Sequence, residues 1–313
     1  MIAIVMAGGF GTRMRPLTCN VPKPMLPVAN RPVMEHGLRL LKHHGFDDIR
    51  VLLYYQPQVI REFFGDGSAQ GVSLTYVTTE TDLGTAGAVR FAQQGLDEPV
   101  LVISGDVLTD FDLGAILEFH RERGSKATLV LTRVTNPLAY GVVITEPDGR
   151  IVRFLEKPSW GEVFSDTVNT GIYVLEPEAL ERVPEGREFD FSRDLFPALM
   201  ERGVPLYGCI ATGYWRDIGS LSEYRQAQVD ILRGEVDVDV QGQKMGRIGK
   251  DVWVGEGTRV DPSAKMRGAV VLGKRVRIGP GVQLANSIIG DDCVVEDGAG
   301  VADSVLWDHV TIG

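Results

Sequence analysis

The residues best suited to chemistry stand near the start of the chain, in "MAGGFGTRMRPLT" at positions 6–18. Gly8, Gly9 and Gly11 follow the apolar run Ile2-Ala3-Ile4-Val5, and Arg13 and Arg15 come directly after them. The spacing fits neither of the common nucleotide loops. Met14 stands where the dinucleotide fingerprint requires its third glycine, and no Gly-Lys-Ser/Thr follows for a Walker A loop. A glycine turn after a strand is by itself ordinary turn chemistry. The fixed positive charge makes it more: Arg13, Arg15 and then Lys23, held between Pro22 and Pro24 in "VPKPMLP". Backbone that can be approached closely, together with cations on a stiffened loop, suits an anionic phosphate chain. The prolines also reduce the entropy lost when the lysine-bearing loop is ordered. Asp106 follows the run "VLVIS" and so stands at the carboxyl end of a predicted strand, where open α/β sheets bind ligands.

Positioning these groups falls to alternating elements. From residue 1 to about 233, short β-branched runs alternate with helical patterns, which predicts α/β with a mostly parallel sheet. Strands are expected at 49–54, 72–77, 100–104 and 127–132. Helices are expected from Val33 to a stop at Gly45, and from an Asp112 cap to a stop at Gly124. Two alternating runs around Pro147-Asp148-Gly149 predict a hairpin, and Ser220-Leu221-Ser222-Glu223 opens a last helix that ends near Gly234. Residues 234–247 look like a linker. Beyond it, aliphatic residues recur every six positions: Ile248, Val254, Val260, Met266, Leu272, Ile278 and Leu284. Five-residue steps then lead to Ile289 and, after Val295 and Val301, to Leu306 and Ile312. A sustained period of six predicts a parallel β-helix of hexapeptide repeats over 248–313. Ile312-Gly313 opens a hexad that does not finish, so a truncated coil is expected.

Composition narrows the partners. The 313 residues carry a formal net charge of −10, which argues against a nucleic-acid surface and an acidic membrane face. Cys19, Cys209 and Cys293 are scattered and odd in number, which suits a reducing cytoplasm and gives no disulfide or zinc framework. The opening apolar run is too short for a signal peptide, and a soluble intracellular protein is expected.

"GGFGTRMRPLT…PKPMLPVANRP" resembles the signature of the sugar-1-phosphate nucleotidyltransferases, or nucleotide-sugar pyrophosphorylases. "ETDLGTAGAV", "SGDVL", "YGVV", "FLEKP", "NTGIYVL" and "YWRDIG" follow in that family's order, across residues 1 to about 233. "LGTAG" and the hexapeptide tail are most similar to the mannose-1-phosphate guanylyltransferase branch. The resemblance implies a Rossmann-like, doubly wound mixed sheet followed by a left-handed β-helix. It also implies the reaction: a sugar-1-phosphate oxygen attacks the α-phosphorus of a nucleoside triphosphate in line, and pyrophosphate leaves. GTP and mannose-1-phosphate are the expected substrates. UTP- or dTTP-dependent transfer to glucose-1-phosphate is the alternative, and a catalytically silent nucleotide-sugar-binding regulator is the alternative of another class. An acyltransferase is disfavoured because His309 is the only histidine of the tail.

Roles follow residue by residue from the resemblance. Ala7, Gly8, Gly9, Gly11, Thr12 and Arg13 fall to the nucleotide, Arg13 to the leaving pyrophosphate, and Lys23 to phosphate beside the transferred group. Asp106 and Asp217 are expected to hold one Mg²⁺ between them. Glu156 is assigned to sugar hydroxyls and Lys157 to the sugar phosphate. The two side chains are expected on opposite faces if the strand stays extended. Gly141 and Asn169 are assigned to the sugar ring. The base is expected against Gly84, Thr85, Ala86 and Gly87, with Glu80 accepting hydrogen bonds from guanine N–H groups. The coil is expected to join copies into a homo-oligomer.

Overall fold

The computed structural model describes residues 1–313. Ile2-Ala3-Ile4-Val5 has no polar face to give to solvent. It forms β1 (Ile2–Met6), buried through Ala3–Val5, inside a nine-stranded sheet. β2 (Asp48–Leu53) and β4 (Val100–Ser104) flank β1 in parallel, and β3 (Ser73–Thr78) continues parallel beyond β2. The other half holds β5 (Ala127–Arg133), β6 (Gly141–Thr145), β7 (Ile151–Glu156), β8 (Thr167–Leu175) and β9 (Leu206–Ile210). β8 runs antiparallel to β4, β5 and β6, so the sheet is mixed. The order is β7-β6-β8-β4-β1-β2-β3, with β5 on β8 and β9 on β5.

The helical signals are realised as caps. α1 (Val33–His43), α2 (Gly84–Gln93), α3 (Leu113–Arg123) and α4 (Leu221–Arg233) serve the argument below. Asp112 accepts from the Ala115 amide to start α3, and Gly124 ends it in the left-handed region. Ser220 accepts from the Glu223 amide at 3.2 Å to start α4, which Gly234 ends the same way. The β6–β7 hairpin turns at Pro147-Asp148-Gly149, where φ of +91° requires glycine. No helix is long and apolar enough to cross a membrane.

Beyond residue 250 the strands stack in parallel. Met266 faces Leu284 and Leu284 faces Val301, so successive coils hold eighteen and then seventeen residues. The five-residue steps of the sequence are what shorten the coil. The hexad positions face inward: Leu272, Ile278, Leu284, Ile289, Val295 and Val301 belong to one buried cluster, and Ile248, Val254, Val260, Met266, Leu306 and Ile312 pack against it. The expected linker is partly ordered, since Gln243–Lys244 pairs antiparallel with Asp251–Val254 and Lys244 lies over the Trp253 ring.

The chain divides into two compact units, one of Met1–Pro24 with Gly37–Asp217, the other of Met25–His36 with Ile218–Gly313. The expected boundary at 233/234 would leave α4 with the first unit; contacts place it in the second. Polar bonds explain the grouping. Buried Gln228 accepts from the Ala29 amide at 2.9 Å and donates to the Pro27 carbonyl at 2.7 Å, while Tyr224 donates to the same carbonyl. Trp307 of the coil donates to the Tyr224 hydroxyl, and Asn30 donates to the Ile289 carbonyl. Gln228→Ala strands a buried amide and weakens a carbonyl's pairing, and is expected to cost about 2–3 kcal/mol. Urea unfolding followed by circular dichroism measures it.

Candidate active site

The end of β4 and a short ribbon bring two distant carboxylates together. Asp106 stands two residues past β4, and Ser104 donates to its Oδ1 at 2.6 Å, which fixes the carboxylate's orientation. Strand Trp215–Asp217 pairs antiparallel with Val107–Thr109 and sets Asp217 opposite Val107, next to Asp106. Lys23 enters from a single 3₁₀ turn and donates to both, to Asp106 Oδ2 and to Asp217 Oδ1 at 3.2 Å. Gly11, at φ +61°, has no side chain to keep it off Lys23; a Cβ there would meet the Lys23 Cβ at 3.2 Å and Thr18 at 3.1 Å.

Burial works against the Lys23 charge, but Asp106 and then Asp217 outweigh it, so the ammonium is held above the usual lysine range. Burial opposes ionisation of Asp106 as well, yet the Lys23 ammonium keeps it below the usual carboxylate range. Asp217 is pushed up, by burial first and then by the Asp106 charge. One ammonium therefore serves two carboxylates whose side chains remain 22% and 26% exposed. Hard oxygen donors with surplus negative charge, open to solvent, could hold a divalent cation. No group of three metal-ligating side chains lies together, so the remaining ligands would be substrate oxygens and water.

Arg13 is exposed on the 3₁₀ turn Thr12–Met14, close enough for its charge to stabilise ionised Asp217. Gly8, Gly9, Gly84, Thr85 and Asp106 line one cavity of about 380 Å³. Ala7 instead continues β1, its amide donating to the Leu52 carbonyl. Three expectations for the base change. The Ala86 and Gly87 amides are already spent on the Phe189 carbonyl, and the Gly84 amide on Asp82, so "LGTAG" cannot read a base with these groups. Ala86 is buried beneath them. Glu80 does not line this cavity: it is exposed on an adjacent one with Arg90 and Phe91. Besides Asp106, the cavity's carboxylates are Asp82, Glu188 and Asp190, with Arg193 as its cation. Sequence reasoning missed Glu188, Asp190 and Arg193 because residues 188–193 reach the cavity only by docking on the start of α2. There Asp190 accepts from the Thr85 hydroxyl at 2.8 Å and from the Ser192 and Arg193 amides. The alternation of aromatic and charged residues in "EFDFSRD" was the available signal. Phe10 and Tyr54 also line the cavity, with ring centroids 5.6 Å apart.

The residues expected to meet the sugar gather around the β6–β7 pair. Gly141 faces Glu156 in register, and a Cβ on Gly141 would meet Glu156 Oε2 and the Phe154 ring at 2.8 Å. The expectation that Glu156 and Lys157 diverge fails. Lys157 takes φ of +47°, which ends the strand's alternation and brings its Nζ within 3.5 Å of Glu156 Oε1. Asn169 is held from its own strand, donating to the Tyr173 hydroxyl at 3.0 Å and accepting from the Gly171 amide. Trp215 links the group to the carboxylates: its ring meets Tyr140 edge-on at 5.2 Å, and its Nε1 donates to the Thr170 carbonyl.

The sequence and the fold both have counterparts among known proteins. The sequence profile of the Nucleotidyl transferase family matches residues 2–234. The chain belongs to that family. A mannose-1-phosphate guanylyltransferase of Mycobacterium tuberculosis is 39% identical, over 95% of this chain and 81% of its own length. A UTP–glucose-1-phosphate uridylyltransferase of Synechocystis is 37% identical, over 100% of this chain and 84% of its own. Among solved structures, a Bacillus anthracis protein in complex with sucrose superposes with a TM-score of 0.68 at 26% identity, over 76% of this chain and 97% of that one. HddC from Yersinia pseudotuberculosis shares the fold, with a TM-score of 0.64 at 22% identity, over 74% of this chain and 99% of its own.

Gly141→Ala is expected to displace the Glu156 carboxylate and raise KM for the sugar phosphate about tenfold or more, since small misplacements are costly in positioned sites. Steady-state kinetics with each substrate varied in turn checks that KM for the nucleotide stays put.

Proposed function

We propose that this member of the family transfers a guanylyl group from GTP to mannose-1-phosphate, giving GDP-mannose and pyrophosphate. The Asp106–Lys23–Asp217 cluster beside the glycine-lined cavity carries the reading of the reaction. Phosphoryl displacement of this kind needs alignment and charge neutralisation rather than a covalent protein group. Gly8 and Gly9 allow close approach of the phosphates, Lys23 supplies a point charge to them, and Arg13 meets the departing pyrophosphate. Lys157 would take the sugar phosphate and Glu156 the hydroxyls, at the pair that Gly141 makes room for. Asp106 and Asp217 would hold Mg²⁺, which neutralises charge on the phosphate oxygens when bound.

Guanine is favoured by the cavity's acceptors. Its N1–H and N2–H₂ groups call for a carboxylate, and Asp82 and Glu188 line the cavity. Uracil offers one N–H and would leave part of such an acceptor unpaired. The uridylyltransferase relative, matched along the whole chain, supports the second reading, UTP with glucose-1-phosphate.

Pyrophosphate release across four nucleotides and the two sugar phosphates decides between them. Turnover confined to UTP and glucose-1-phosphate would overturn the guanylyl assignment. Glu188→Gln and Asp82→Asn are expected to lower kcat/KM for GTP about tenfold while sparing UTP, and Glu80→Gln to change neither. Asp106→Asn and Asp217→Asn are each expected to lower kcat about a hundredfold or more with unchanged circular dichroism. Near-normal kcat in either would remove that aspartate from the mechanism.

A further inference from the structure

Lys23 is 8% exposed and donates to both carboxylates that the proposed function gives to Mg²⁺. An ammonium bonded to those oxygens and a divalent cation compete for the same negative charge. We propose that Lys23 is the internal counter-ion of the Asp106–Asp217 pair in the substrate-free enzyme. A divalent cation gains the pair only as the ammonium leaves it, and the displaced ammonium is then free for the phosphates of the nucleotide. The inference rests on the reading of the two aspartates as the metal site.

Three features support an exchange carried by the side chain alone. The Lys23 backbone is fixed, with prolines on both sides and Gly11 against its Cβ. Asp106 is held through its other oxygen by Ser104, so the carboxylate keeps its place when the lysine departs. A lysine is a compact charge on a flexible stem, able to swing where an arginine fork would be locked. Two facing carboxylates without a counter-ion repel one another, which favours exchange of one cation for the other. Arg13 is the other cation whose field reaches Asp217, but it is exposed and makes no bond to the pair.

The consequence runs against the usual expectation for a substrate-binding lysine: removing it should improve metal binding. If the ammonium occupies the pair in about nine molecules of ten, the apparent metal affinity is reduced about tenfold. Titration of Mn²⁺ without nucleotide, read by electron paramagnetic resonance, should therefore give Lys23→Met a dissociation constant about tenfold lower than the wild type. Lys23→Gln should follow Lys23→Met, and Lys23→Arg, whose fork stays locked on the pair, should bind Mn²⁺ more weakly than the wild type. In the wild type, Mg²⁺ alone should speed acetylation of Lys23 by acetic anhydride, measured by mass spectrometry. Equal or weaker Mn²⁺ binding in folded Lys23→Met and Lys23→Gln, with Mn²⁺ binding lost in Asp217→Asn, overturns the counter-ion role alone. Unchanged Mn²⁺ binding in Asp217→Asn overturns it together with the metal reading. The reaction itself is judged separately, by wild-type pyrophosphate release.

Discussion

Two carboxylates and one ammonium, gathered from positions 23, 106 and 217, set the constraint that the first unit is built to meet. Left unpaired, the carboxylates would repel one another in a half-buried place; brought together around Lys23, they share one ammonium between them. Each partner arrives by a different physical device. The end of a buried central strand places Asp106, the register of a two-stranded ribbon places Asp217, and a proline-flanked turn places Lys23. Gly11 completes the set by leaving out a side chain where the lysine must pass.

The cavity beside this cluster is made by a similar economy of backbone groups. A helix start normally offers free amides to an anion. Here the Ala86 and Gly87 amides are satisfied by Phe189, whose segment carries Glu188, Asp190 and Arg193 into the cavity wall. Spending those donors on the protein itself anchors residues 188–193 to the start of α2.

The second unit shows why chain order and compactness need not coincide. Met25–His36 begins directly after Pro24, where the first unit breaks off, yet it is folded with α4 and the coil, through Gln228, Tyr224 and Asn30. The chain thus leaves the first unit two residues after its central lysine. Each of these bonds satisfies a backbone group that would otherwise be costly to bury.

Much of the chain could be read without coordinates, because the signals involved are local. Runs such as Ile2–Val5 and "VLVIS", the caps at Asp112 and Ser220, and the six-residue period each depend on near neighbours alone. Charged residues at Lys23, Asp106 and Asp217 could be named for the same reason, each inside a recognisable motif. Tertiary structure decided what no local rule contains: that one lysine bonds both aspartates, and that Lys157 turns back towards Glu156. It also decided that Glu80 faces a different cavity from Asp82, and that Glu188, Asp190 and Arg193 join Thr85 in that cavity's lining. These outcomes follow from strand register, a left-handed residue and the competition of distant carbonyls for amides. Such contacts join positions up to about two hundred residues apart, where sequence spacing carries no information on distance.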